Sequence, residues 1–211
     1  MSLGSSAAFS KGSTAMIGAE STQNAMRLTS QARVFFGGSS HAAAKPSFAE
    51  SAENSKKALD ACFDALKAWL KLFPALKGSP EYFEANIAIA ELYSKCAALF
   101  FLEFKRTAQW GEKDFEELSF FEKKKALSWL AQRFMLYECA ISHVLLARGC
   151  APQAPLDQPL EDRTMWAYEN AHNSARDLLR FGDGMLSEKA KESIDGKNIS
   201  YKIEMHKYEH R

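Results

Sequence analysis

An all-α protein, a bundle of about four long amphipathic helices, is what this sequence predicts, and three observations carry the prediction. Apolar residues recur at spacings of three and four over several segments of twenty residues or more, the period of a helix with one buried face. Only eleven Gly and six Pro occur in 211 residues, too few for a turn-rich β-sandwich. Fifteen Phe and four Trp, within an ordinary 46% apolar and 25% charged composition, supply large side chains for a core.

Residues 1–46 stand apart. They are rich in Ser, Ala, Gly and Thr, lack a sustained apolar period, and end at Pro46. Residues 1–49 carry Lys11, Arg27, Arg33 and Lys45 against Glu20 alone, a net of +3, so the remainder, with 23 bases facing 25 acids, carries −2. A flexible tail of this composition is one reading. An address label is the other, because organelle presequences bear Ser and Arg and few acids. The segment Asn24 to Phe36 fits a short amphipathic helix, and Arg33-Val-Phe-Phe-Gly-Gly38 resembles the sequence around matrix-protease cleavage sites. Bacterial type III secretion signals have the same Ser/Thr-rich look.

The body, residues 47–197, reads as helices. In the first, from Ser47 to Phe73, residues Leu59, Cys62, Phe63, Leu66, Trp69, Leu70 and Phe73 form the apolar stripe, and Pro74 forbids continuation. Ser79 and Pro80 suit the N-cap and first turn of the second, which runs from Pro80 to Trp110. This helix is apolar on two sides. Tyr82, Tyr93 and Phe100 belong to its second stripe and are candidate partner-binding residues, since one helix face needs fewer aromatics than are present. Gly111 breaks it.

The third helical region spans Lys113 to Ala147, with Phe115, Leu118, Phe120 and Phe121 as a first apolar piece, and Gly149 ends it. The Pro-bearing loop Ala151 to Pro159 is longer than a tight helical hairpin needs, which marks it as a functional candidate. A fourth helix runs from Glu161 to Phe181 and stops at Gly182-Asp-Gly184; a short polar helix, Leu186 to Ile194, follows. In the tail, residues 198–211, the period changes to two: Ile199, Tyr201, Ile203 and Met205 alternate with polar residues, which predicts an extended arm. These four are candidate partner-binding residues, with strand addition to another chain as the sharper alternative.

Motifs that carry chemistry are scarce. The sequence holds no Gly-rich phosphate loop, nucleophile elbow, HExxH or paired-Cys zinc pattern. Glu169 and His172 stand at i and i+3, half of the arrangement with which di-iron bundles hold a metal. Glu91 and Glu138 are the inward carboxylates that would complete it. His143 lies five residues beyond Glu138, about 140° around the helix axis, so the second Glu/His pair diverges. Cys139 and His143 at i,i+4 share a face, which a thiol nucleophile would need, but no oxyanion loop accompanies them. Polar contacts within a packed bundle explain all of these residues, and no cofactor or metal is expected.

Lys123-Lys124-Lys125, with Arg133 beyond, follow Glu116, Glu117 and Glu122 and read as a solvated, ion-paired face. With a net charge of +1, no nucleic-acid partner is expected. No segment reaches the ~20 apolar residues of a transmembrane helix. Cys62, Cys96, Cys139 and Cys150 form no close pairs and read as free thiols, which implies a reducing compartment: cytoplasm, mitochondrial matrix or, for a bacterial effector, a host cell. The phrase Glu91 to Ala98 resembles helices of TPR-like solenoids, but no repeat emerges, so the sequence assigns no family.

These readings point to a non-enzymatic helical interaction or assembly protein, whose partner is another protein or a second copy. The alternatives are a secreted bacterial effector or organelle-imported accessory subunit, and a metal-binding bundle enzyme.

Overall fold

The computed structural model of the chain describes residues 7–40, 48–109, 114–150 and 158–209. Those residues form six α-helices and one 3-10 turn, with no strand among them. The helices are α1 (Ala7–Ser40), α2 (Phe48–Leu76), α3 (Glu81–Thr107), α4 (Phe120–Cys150), α5 (Gln158–Phe181) and α6 (Glu188–Glu209); the turn, Phe115–Glu117, precedes α4. The all-α class stands, with six helices where about four were expected. The chain divides into two compact units, Met1–Ala85 and Asn86–Arg211, and the division falls inside α3.

In the first unit α1 packs along α2. Residues 7–40, expected as part of a flexible leader, are helical, and the reason lies in side-chain size. Ala25, Thr29 and Ala32 are buried at spacings of four and three, a stripe too small to register as apolar periodicity but well suited to close helix approach. The Trp69 indole N–H of α2 donates to the Thr29 hydroxyl at 2.9 Å, and that hydroxyl donates to the Ala25 carbonyl at 2.9 Å. Each polar atom in this buried contact is thereby satisfied.

Pro74 does not end α2 as expected. It sits inside the last turn, where its missing N–H removes a single backbone bond and the helix is about to stop anyway. Gly78, at φ 88°, makes the turn into α3.

The second unit is a series of antiparallel hairpins. Asn86 of α3 meets His143 near the end of α4, and Thr107 meets Trp129 near its beginning, so these two helices run in opposite directions. Arg133 with Asp177 and Tyr137 with Trp166 set α5 antiparallel to α4, and α6 packs back on α5. Phe104, Leu130, Phe134, Tyr137, Tyr168, Leu178 and Tyr201, from four helices, share one core. Removing a Phe from such a core costs about 3–5 kcal/mol.

Helix ends are set locally. α3 stops at Thr107, with Gln109 at φ 47° closing the end before Gly111 is reached. The continuous helix expected from Lys113 is absent over 114–119; there the chain makes the 3-10 turn and restarts through a capping box. The Ser119 hydroxyl accepts from the Glu122 N–H at 3.3 Å, and the Glu122 carboxylate accepts from the Ser119 N–H at 2.9 Å. Between α5 and α6, Gly182 is buried so tightly that a Cβ there would lie 2.5 Å from both the Leu178 carbonyl oxygen and the Leu186 side chain. The Pro-bearing loop singled out in the sequence lies outside the described residues, apart from its last two.

The C-terminal segment corrects the expectation of an extended arm and of a helix ended at Asp195-Gly196. α6 runs through both to Glu209. A step of two residues is 200° on a helix, so alternating apolar residues form two opposite stripes there. Tyr201 is buried and Met205 half-buried, whereas Ile199 and Ile203 are each 53% exposed.

Candidate interaction site

The inward stripe of α6 is fastened to α4 by one carboxylate. Glu138 accepts the Tyr201 hydroxyl at 2.6 Å on Oε1 and the Lys197 ammonium on both oxygens, at 2.6 and 2.8 Å. Burial first, then the hydrogen bond to Glu138, push the Tyr201 phenol far above its ordinary range, so it remains a donor at all working pH values. Lys197 also lies 5.6 Å from the Phe134 ring centroid. Four residues separate 197 from 201 and four separate 201 from 205, one turn of helix per step. That spacing holds Ile199 and Ile203 on the opposite side.

The aromatic candidates of α3 each pack against a ring of the same unit. Phe100 is buried and stacks on Trp129 at 5.3 Å between centroids. Tyr93 is half-buried and stacks on His143 at 5.9 Å. Tyr82, in the first unit, packs against Phe73 at 4.9 Å. All three are engaged within the fold. Tyr201 and Met205 are likewise inward, which leaves Ile199 and Ile203 as the two candidates that face solvent.

The potential metal ligands are not brought together. Glu138 is committed to Tyr201 and Lys197; Glu91 pairs with Lys95 at 3.4 Å within its own helix. Glu169 is exposed, and His172 is half-buried, its Nδ1 without a hydrogen-bond partner among the described residues. Among the described residues no group of three His, Cys, Asp or Glu is placed to hold a metal ion.

Cys139 and His143 form no activated dyad. Burial, with Glu138 next to it, raises the thiol pKa, and burial lowers that of the imidazole. A protonated thiol beside a neutral imidazole is the reverse of the ion pair a nucleophilic cysteine needs. The His143 Nδ1 lies 2.9 Å from the Asn86 side-chain oxygen, a structural role. Arg133, grouped by sequence with a solvated basic face, is buried: it pairs with Asp177 at 2.7 Å and lies 3.9 Å over the Phe101 ring.

Other solvent-facing apolar side chains lie outside the candidates that the sequence supplies. Phe120 and Phe121 are 64% and 80% exposed, and Met135 and Trp166 are also exposed. For the Phe pair a signal exists: adjacent residues on a helix are 100° apart, and Ser119 with Glu122 marks the helix start. In the first unit, an open groove of about 240 Å³ is lined by Leu28, Gln31 and Phe35 of α1 and Lys57, Asp60, Ala61 and Asp64 of α2. No helix of the described residues is long and apolar enough to cross a membrane.

No protein-family model matches the chain. No curated protein matches it. No solved structure matches it either.

Proposed function

We propose that the chain is a non-enzymatic helical interaction protein that binds another protein through the outer face of α6. The observation carrying this reading is the pair Ile199 and Ile203, one turn apart and each 53% exposed, on a helix whose opposite face is anchored through Glu138. Two β-branched residues at i and i+4 are what a groove-binding or helix-pairing surface presents. The anchored inner face keeps them displayed without the ordering cost a free tail would incur. Enzymatic readings receive less support, because Glu91 and Glu138 are paired within the fold, the described residues bring no three ligands together around Glu169 and His172, and burial raises the Cys139 thiol pKa. The Thr29–Trp69 bond favours α1 as a working part of the first unit over an address removed after delivery.

A benzophenone amino acid installed at position 203 tests the reading in cells of the native source. Ultraviolet light should produce a discrete cross-linked species at position 203 and not at position 201, which faces inward. Cross-linking at neither position would remove the assignment.

A further inference from the structure

The turn leading into α4 holds two large apolar side chains out in water by construction. Phe115 is pinned inside, its ring 5.0 Å from Phe181 and 6.4 Å from Phe104. Leu118 is buried. The Ser119–Glu122 capping box then fixes the first turn of the helix. Phe120 and Phe121 are left 64% and 80% exposed, their rings edge-on at 5.9 Å. A rigid pair of this kind suits a contact surface, because little conformational freedom is lost on docking.

The charges around the pair identify the occupant. Glu116 and Lys123 neutralise each other at 2.8 Å. Glu117 precedes the phenylalanines, Lys124 and Lys125 follow them, all three are exposed, and none makes an ion pair among the described residues. Acid before and base after an apolar centre is a self-complementary order. A two-fold axis through the centre sets the acid of each copy against the bases of the other. A uniformly anionic lipid or nucleic-acid surface fits less well, since Asp114, Glu116, Glu117 and Glu122 outnumber Lys123, Lys124 and Lys125 in the same turn.

We propose that this turn is a self-association surface for a second copy of the chain. Phe120 and Phe121 of the two copies pack together, and Glu117 of each faces Lys124 and Lys125 of the other. The surface is distinct from the outer face of α6. Two aromatic side chains per copy fall well short of the area a permanent dimer buries, so association is weak and concentration-dependent, with Kd of about 10 µM to 1 mM.

Sedimentation velocity over a concentration series spanning that range tests the proposal on the full chain. The weight-average mass of the unmodified protein should rise with concentration, and that of F120S/F121S should not. Glu117→Lys alone and Lys124→Glu/Lys125→Glu alone should each weaken association about five- to tenfold. An equimolar mixture of those two variants should recover it, because the opposed charges are again complementary. Matching helical circular dichroism across the variants shows that the fold is kept. Ile199→Asp/Ile203→Asp should associate like the unmodified protein, which separates this surface from the one on α6. A mass that is constant at every concentration, or undiminished in F120S/F121S, overturns the proposal. Loss in the charge variants without recovery on mixing overturns the two-fold arrangement. Phe-dependent co-sedimentation with anionic phospholipid vesicles by a chain that stays monomeric would reassign the turn to a membrane surface.

Discussion

Tyr201 of α6 donates a 2.6 Å hydrogen bond to Glu138 of α4, a residue 63 positions earlier, and this contact decides which side of the last helix faces the core. Tyr201→Phe keeps the ring among Phe134 and Tyr168 and removes only the hydroxyl. The expected loss is about 1.5–3 kcal/mol, the range for a hydrogen bond to a charged group. Urea unfolding of the two proteins measures it. Glu138→Gln should lose a comparable amount, and the double variant less than the sum, because both changes break one shared contact.

The Thr29–Trp69 bond gives a second test, inside the first unit. Thr29→Val preserves shape but leaves the buried indole N–H without an acceptor, an expected cost of about 1–3 kcal/mol. Trp69→Phe removes the orphaned donor, so it should cost less in a chain already carrying Thr29→Val than in the unmodified protein. A double-mutant cycle by thermal unfolding reads the coupling.

His143 makes stability pH-dependent in a defined direction. Burial holds its pKa below the ordinary 6.5, so the unfolded chain binds the extra proton first as pH falls. Its contribution is therefore fully present above pH 6.5 and is lost as pH drops through the folded value. Unfolding free energy should decline as pH falls below about 6.5, and His143→Gln should flatten that decline whatever it does to absolute stability.

Gly182→Ala should be destabilising by about 1–3 kcal/mol, because the new methyl meets a backbone oxygen as well as the movable end of Leu186. Gly196→Ala is its contrast: nothing lies within 4 Å of a Cβ there. Ala in a helix is favoured over Gly by about 1 kcal/mol, so this variant should melt higher.

The parts legible in the sequence are those where side-chain size reports burial. Cys62, Leu66 and Trp69 of the α2 stripe are buried, whereas Phe63 and Leu70 of the same stripe are each 41% exposed. α1 is hidden because Ala25, Thr29 and Ala32 do not announce a packed face. α6 is hidden because four apolar residues at alternate positions fit a strand and a two-faced helix equally well, and what distinguishes the two is packing against α4 and α5, which are remote in sequence. The same remoteness conceals the sorting of the candidate site. Ile199 and Tyr201 look equivalent along the chain and differ only by what α4 places opposite one of them. Phe120 and Phe121 belong to one apolar piece with Phe115 and Leu118 along the chain, and only the latter two pack inward.

Affinity capture with the unmodified chain and with Ile199→Asp/Ile203→Asp, from extracts of the native source, tests the interaction surface most directly. The substituted side chains are exposed, so the variant should keep the circular dichroism and melting temperature of the unmodified protein. The expected result is a protein retained by the unmodified chain and lost from the variant, with Phe120→Ser/Phe121→Ser still retaining it. Identical recovery by the unmodified chain and the Ile variant, or no specific recovery by either, would contradict the assignment of the outer face of α6 as the binding surface.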